Sequence, residues 1–341
     1  GDDVAFASAT DSSGNVFAAG YTGGGLDGQT HIGSFDIFMV KYDTNGNRLW
    51  SVLHGSDNVT AKDVIFGMET DTEGNAYLAG YTDAYLDNNT SAGGDDLILI
   101  KYNSSGTRQW TVQYGTSAAD YARGVSLDSS GNIYVTGTTK GGLDGNTNSG
   151  DGDIFLVKYS SSGTKQWTKQ LGTSSSDIGR GVTVDSSNNI YVTGYTSGGL
   201  DGNTSSGGAD IFLVKYNSSG TKQWTKQLGT SSVDYGYGVT VDSSDNIYVT
   251  GYTSGGLDGN TNSGNDCKFP PCGDIFLVKY NSGGTKQWTK QFGTSSGDSG
   301  NGVTVDSSDN IYVTGSTDGG IDGNTSSGGR DTFLIKYNSS G

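Results

Sequence analysis

Apolar and polar side chains alternate along this chain in short runs, with a period of two rather than the 3.6 of a helix. Gly181-Val-Thr-Val-Asp185 is one such run, and Asn189-Ile-Tyr-Val-Thr-Gly-Tyr-Thr196 follows it. Ile211-Phe-Leu-Val-Lys-Tyr216 and Gln223-Trp-Thr-Lys-Gln-Leu228 come next. Asp-Ser-Ser-Asn-Asn separates the first two and Asn-Ser-Ser-Gly-Thr the last two. Both separators are turn chemistry of hairpin length, so the pattern predicts four short antiparallel strands. The third strand is apolar on both faces, since Ile211 and Leu213 alternate with Phe212, Val214 and Tyr216. A sheet of that kind must be covered on both faces.

This unit recurs. Its Lys-Tyr pair stands at Lys41, Lys101, Lys158, Lys215, Lys279 and Lys336, with spacings of 60, 57, 57, 64 and 57 residues. Copies three to six are nearly identical, the first two have drifted, and the long spacing holds an insertion with Cys267, Pro270, Pro271 and Cys272. Four-stranded units that repeat and cover one another are the pattern of a β-propeller. The expectation is an all-β, six-bladed propeller of four-stranded blades, with residues 1–341 as a single domain of six repeats of about 57 residues. Trp occurs only at Trp50, Trp110, Trp167, Trp224 and Trp288, so the last blade lacks its outer strand in this sequence. An open edge strand is a liability, and continuation beyond Gly341 is the preferred expectation.

Several motifs resemble a known family. Asp-x-Phe-x-x-Lys-Tyr, Gly-x-x-x-Trp, Asp-x-x-Gly-Asn-x-Tyr-Val-Thr-Gly and Leu-Asp-Gly together are similar to the bacterial β-propeller repeat first named for a seven-bladed propeller. The resemblance covers essentially every block. It implies a secreted or cell-surface bacterial protein and no single assigned activity.

Composition changes the picture in two ways. The 58 Gly, the 32% hydrophobic content and a mean hydropathy of -0.46 suggest a poorly packing chain, but 20 Tyr, 11 Phe and five Trp in fixed phase argue for a folded one. Of 36 acidic residues only Glu69 and Glu73 are glutamates, and the net charge is -16. That charge excludes nucleic acid and anionic membrane surfaces as partners. No apolar run approaches the roughly 20 residues of a spanning helix, so no membrane insertion is expected. The chain opens at Gly1 without an initiator Met or a charged-then-apolar leader, and any signal peptide is expected to lie outside this sequence.

The link between second and third strands carries paired acids: Asp27/Asp36, Asp87/Asp96, Asp144/Asp153, Asp201/Asp210, Asp258/Asp274 and Asp322/Asp331. Asn89, Asn146, Asn203, Asn260 and Asn324 stand two residues after the first acid, with Gln29 in the first copy. Two readings fit. Hard cations gather oxygens from short Asp-x-Asn loops, which predicts calcium, up to one ion per blade. Alternatively each Asp or Asn satisfies its own backbone in a turn or cap. A third acid, Asp3, Asp63, Asp120, Asp177, Asp234 or Asp298, lies in the link leading into each blade, and capping is the favoured reading there. The hairpin acids, such as Asp11, Asp128 and Asp185, read as turn residues.

Cys267 and Cys272 suit a local disulfide stapling the inserted loop, hence an extracellular, cell-surface or periplasmic location. Repetition places the same group six times, whereas catalysis needs an asymmetric set. Only His31 and His54 break the repetition as titratable singletons. One position varies among constant neighbours: Phe6, Phe66, Arg123, Arg180, Tyr237 and Asn301, expected to ring the mouth of a central channel. Aromatic faces stack on sugars or peptides and Arg forks grip carboxylates. The expected function is a calcium-binding, non-enzymatic binding or adhesion scaffold for a glycan or protein. The alternative is a lyase-type or glycan-active enzyme working at the channel mouth.

Overall fold

Valine, isoleucine, tyrosine and threonine dominate the apolar runs, and the runs are strands. A computed structural model describes residues 1–264 and 272–341. It contains six antiparallel sheets, five of four strands and a last one of three, each a meander of strands consecutive in sequence. The fold is the six-bladed, all-β propeller class, with blades at residues 3–54, 63–114, 120–171, 177–228, 234–292 and 298–337. In the fourth blade the strands are Asp177–Val184, Ile190–Thr196, Asp210–Tyr216 and Lys222–Leu228. The chain divides into two compact units, Gly1–Leu171 and Gly172–Gly341, each of three blades.

Within the first unit, the third strand is covered on both faces, as its composition requires. Met39 and Ile37 of blade one pack with Ile65, Leu78 and Ile98 of blade two. The opposite face of blade two, with Tyr77, Leu97 and Leu99, packs on Val135 and Phe155 of blade three. The second unit repeats the scheme, Ile211 and Leu213 meeting Val249 and Phe276, and Leu277 meeting Val313. Each buried large side chain is worth about 1.5–3 kcal/mol, so the low hydrophobic fraction is offset by using both faces of thin sheets.

Two devices tie neighbouring blades within a unit. The hairpin glycine between third and fourth strands lies against the Trp of the preceding blade: a Cβ on Gly106 would stand 3.1 Å from the Trp50 ring, and one on Gly284 3.0 Å from Trp224. Gly106 also has φ +81°, so the turn and the close approach demand the same residue. The signature lysine is the second device. Lys215 sits 5.0 Å over the Tyr191 ring, lies 3.9 Å from the Asp185 carboxylate and donates to the Ser282 carbonyl of the next blade at 3.1 Å. Lys41 does the same with Phe17, Asp11 and Ser104.

The hairpin acids are turn residues, as their sequence context suggests. Asp128 accepts from the Ser130 and Asn132 backbone N–H groups, the Asn132 amide and the Tyr134 hydroxyl, all at 2.8–2.9 Å.

Candidate functional site

The loop-rich end of each blade begins with a tight turn. In Leu143-Asp-Gly-Asn146 the Asn146 N–H bonds the Leu143 carbonyl at 3.0 Å, with Asp144 at φ +51° and Gly145 at φ +77°. Positive φ at both central residues defines a type I′ turn, which explains the choice of Asp-Gly. Asp27, Asp87, Asp201, Asp258 and Asp322 share the conformation.

The turn aims the first acid at the fourth strand of its own blade. Asp27 is met by Arg48 and Ser51, Asp87 by Arg108 and Thr111, and Asp144 by Lys165 and Thr168. Asp201 is met by Lys222 and Thr225, and Asp258 by Lys286 and Thr289. Burial pushes Asp144 up, but the Lys165 ammonium and the two hydroxyls beside it hold its carboxyl below the ordinary range. The sequence carried this signal unread: the cation follows the acid by 21 residues and the hydroxyl by 24, or 28 and 31 across the insertion. The accompanying Asn amides, Asn89, Asn146, Asn203, Asn260 and Asn324, donate back to the carbonyl of the turn's Leu or Ile at 2.6–2.9 Å.

The second acid opens the third strand and takes different partners. Asp96 Oδ2 accepts from the Ala92 N–H at 3.0 Å and the Gln113 amide at 2.8 Å. Asp210 and Asp274 repeat this with Gln227 and Gln291, and Asp153 with Gln170. The same Gln also reads the turn, its Oε1 accepting the Leu N–H and its amide bonding a loop carbonyl, as in Leu200 at 3.0 Å and Gly198 at 2.9 Å. Blade one has Leu53 at the Gln position, and Gln29 from the loop bonds the Leu53 N–H instead, at 2.9 Å. Asp36 there is held by the Ile32 and Gly33 N–H groups, and Asp331 of blade six by Ser326 and Ser327.

The third acid caps the incoming link, as expected. Asp234 Oδ2 accepts from the Thr230 N–H at 2.6 Å and its hydroxyl at 2.9 Å, while Thr253 bonds Oδ1. Second and third acids of successive blades converge on the glycine after the fourth strand. A Cβ on Gly115 would lie 2.2 Å from Asp96 Oδ1 and 2.9 Å from Asp120 Oδ2, and Gly293 stands likewise between Asp274 and Asp298. Asp96, Asp120, Asp274 and Asp298 are all buried. Burial first, and then the opposed carboxylate, push Asp63, Asp120, Asp234 and Asp274 above their ordinary value.

Among the described residues, no three His, Cys, Asp or Glu side chains gather as a metal site would require. Both oxygens of each first acid, Asp27, Asp87, Asp144, Asp201 and Asp258, are engaged, one by a cationic side chain and one by a hydroxyl. The second acids differ: among the described residues the buried Oδ1 atoms of Asp96, Asp153, Asp210 and Asp274 accept no hydrogen bond.

The variable residues of the first strand share a feature that alternation did not reveal. Phe6, Phe66, Arg123, Arg180, Tyr237 and Asn301 are each the extra residue at a β-bulge, skipped in the register with the second strand. Bulges re-aim a side chain out of the pleat and recur at binding sites. In the first unit the Phe6 and Phe66 rings are 5.1 Å apart and the Arg123 guanidinium lies 5.2 Å over Phe66. Tyr21, Tyr81 and Tyr121 extend the row. In the second, Arg180 lies 5.4 Å over Tyr237 and 5.7 Å over Tyr195, with Tyr235 beside both rings. Asn301 takes the Ser299 hydroxyl at 2.9 Å.

His54 is enclosed by the Tyr102 hydroxyl at 2.6 Å, Asp87 at 3.2 Å and an Arg108 N–H at 2.6 Å. Burial and the Arg108 charge hold its imidazole down to about 4. Cys272 is a buried disulfide cysteine. Its expected partner, Cys267, lies outside the described residues. Among the described residues no helix is long and apolar enough to cross a membrane.

Comparison with known proteins bears on the repeat. The chain is 29% identical over 205 residues to an uncharacterised WD repeat-containing protein, L264, of Acanthamoeba polyphaga mimivirus, covering 51% of this chain and 15% of that one. It is 26% identical over 202 residues to the regulatory protein FlaEY of Caulobacter vibrioides, covering 53% of this chain and 21% of that one. The matches thus span less than a quarter of either relative. A gluconolactonase, XC5397 from Xanthomonas campestris, superposes with a TM-score of 0.47 at 10% identity, over 91% of this chain and 82% of that one. The family model for the β-propeller repeat SBBP matches residues 109–144, 166–201, 223–258 and 287–322. Each matched stretch runs from the second residue of a fourth strand to the acid of the next turn, through the link's capping acid and the bulge. The chain carries the SBBP β-propeller repeat in four matched stretches.

Proposed function

We propose that the chain is a non-enzymatic binding scaffold that works outside the cytoplasm and takes glycan rings on its bulged first-strand residues. One observation carries the reading: the position that varies between otherwise matching blades is the one the bulge turns out of the sheet. Elsewhere the repeat keeps its polar groups in internal turns, caps and clamps, whereas this position supplies aromatic faces and guanidinium donors side by side. Ring faces stack on sugars, and guanidinium N–H groups donate to hydroxyls. The net charge of -16 favours neutral or cationic glycans over acidic ones. The disulfide state of Cys272 supports an oxidising compartment.

Binding to an immobilised panel of neutral, amino and acidic glycans tests the proposal. Phe6 is 50% exposed, so Phe6→Ala leaves the core intact. Phe6→Ala and Tyr237→Ala are expected to weaken glycan binding about tenfold, the scale of one lost aromatic contact, with unchanged melting. Failure of the whole panel, or equal binding by both variants, overturns the reading.

A further inference from the structure

The junction between blades two and three and that between blades four and five are built alike, each inside its own unit. In the first, the Tyr81 and Tyr121 rings lie 5.0 Å apart and the Asp120 N–H bonds the Asp95 carbonyl at 2.6 Å. In the second, the Tyr195 and Tyr235 rings lie 4.3 Å apart and the Asp234 N–H bonds the Ala209 carbonyl at 2.7 Å. Tyr235 thus stands where Tyr121 does, and Ala209 where Asp95 does. That exchange removes an acceptor: Tyr121 donates to the Asp95 carboxylate, and Ala209 has nothing to offer Tyr235.

Arg180 makes the missing acceptor matter. Its guanidinium lies over Tyr237 and Tyr195, at 5.4 and 5.7 Å. Among the described residues it forms neither an ion pair nor a hydrogen bond, and its Nε is buried without an acceptor. Arg48, Arg108 and Arg330 by contrast each meet an Asp. The charges that act on Tyr235 are those of Tyr195, Tyr252 and Arg180, with no carboxylate among them. Donors converge here and acceptors do not. A buried donor without an acceptor is costly, so an incoming acceptor is favoured. Stacking on ring faces leaves the guanidinium's N–H groups at its edge, the geometry that grips a carboxylate through two parallel bonds.

We infer that the junction of blades four and five takes the carboxylate of a uronic acid, which serves Arg180 and Tyr235 as Asp95 serves Tyr121 in the first unit. The inference rests on the glycan reading and narrows it at one junction. Ring faces at Tyr195 and Tyr237 stack on the sugar, and the Arg180 edge with the Tyr235 hydroxyl selects the acid. The net charge of -16 still opposes densely acidic polymers as they approach. That field is screened beyond about 8–10 Å, whereas the Arg180 contact is made inside this distance.

The probes are the methyl glycosides of glucuronic and galacturonic acid, each as the free acid and as its uncharged methyl ester, titrated into the full chain by calorimetry. At least one free acid is expected to bind about tenfold or more tighter than its ester. Arg180→Asn installs the residue that blade six carries at Asn301, and Ala209→Asp installs the acid of the first unit. Either change should bring the ratio of acid to ester close to one. Should Ala209→Asp fail to fold, Arg180→Asn decides alone. Equal binding of acid and ester by the unaltered chain overturns the inference, as does a preference that survives Arg180→Asn. If the ester binds as well as the acid and Tyr237→Ala weakens both, the carboxylate fails and the glycan reading stands. If no acid, no ester and no glycan of the panel binds, both fall. A peptide with a free C-terminal carboxylate that binds as tightly as the acid overturns the assignment to a sugar.

Discussion

The two ends of a blade both concentrate aspartate, and they use it in opposite ways. At the hairpin end one carboxylate is met by four donors, as Asp128 is by Ser130, Asn132 twice and Tyr134. At the loop end two carboxylates from successive blades are buried facing each other, as Asp96 and Asp120 are across Gly115. The first arrangement favours the ionised acid and the second disfavours it. Burial alone pushes Asp128 up, but the Asn132 contacts outweigh it and leave the group lowered, whereas Asp120 is raised by burial and by Asp96. The same residue type is thus stabilising at one end and a source of stored repulsion at the other, and the difference lies in how many N–H and O–H groups converge.

The largest expected effect tests the hairpin end. Asp128→Ala removes the acceptor of four bonds at a buried site and should cost about 3 kcal/mol, read as a fall in the denaturant midpoint at constant slope. A loss below about 1 kcal/mol would place the hairpin acids among ordinary surface residues and end the contrast.

A smaller effect separates the ends by pH. Asp11 is held down to about 2 against an ordinary 3.8 by Asn15 and Lys41, which outweigh its burial. Its contribution is present above 3.8 and is lost as pH falls through 2. The loop-end acids Asp63, Asp120, Asp234 and Asp274 are raised, so the folded state takes up protons before the unfolded one does, and their repulsion is relieved as pH falls. His54 opposes them: with its imidazole lowered to about 4 from 6.5, the unfolded chain protonates first, and stability falls as pH drops from 6.5 towards 4. The loss by pH 5 is about 2 kcal/mol. His54→Leu, which installs the residue that Leu171 and Leu228 provide in later blades, should abolish that loss and expose the acid-pair trend of rising stability. A melting profile unchanged by His54→Leu between pH 7 and 5 would break the assignment.

The smallest effect concerns the cationic clamp. Asp201→Ala breaks a half-exposed pair with Lys222, for which about 1 kcal/mol or less is expected. Chelation should leave the melting temperature unchanged. A fall of several degrees, restored by calcium, would show that an ion displaces the lysines and arginines at these turns.

Much of the fold was legible because each rule it follows is local and repeated six times. The Lys-Tyr strands, the hairpins and the three-stranded last blade follow from alternation, turn residues and the missing Trp. The acids were legible as a class but not as partners. Nine-residue spacing between Asp144 and Asp153 suggested a shared ligand, yet the type I′ turn throws Asp144 outward to Lys165 while Asp153 points to Gln170. Adjacency along a loop does not reveal which way a positive-φ turn faces. The bulges escaped for a related reason: an inserted residue at Phe66 or Arg123 leaves composition untouched and changes only the phase of pairing. His54 resisted because its burial is made by Tyr102, Asp87 and Arg108 of the next blade, which no local pattern links to it.

The registration of the repeat against the blade has a consequence for how such chains grow. The 36-residue stretches that define the family begin inside one blade's fourth strand and finish at the next blade's turn acid. They therefore straddle the seam between blades. A duplication of genetic material in this frame copies the link between two blades, with its capping acid and the bulge, rather than a sheet with two raw faces. New units arrive already fitted to their neighbours. Drift shows at the bulged residue, Phe66 in one blade and Arg123 in the next, so a lineage of such chains can vary the side chains along its first strands while copying the rest of each link unchanged.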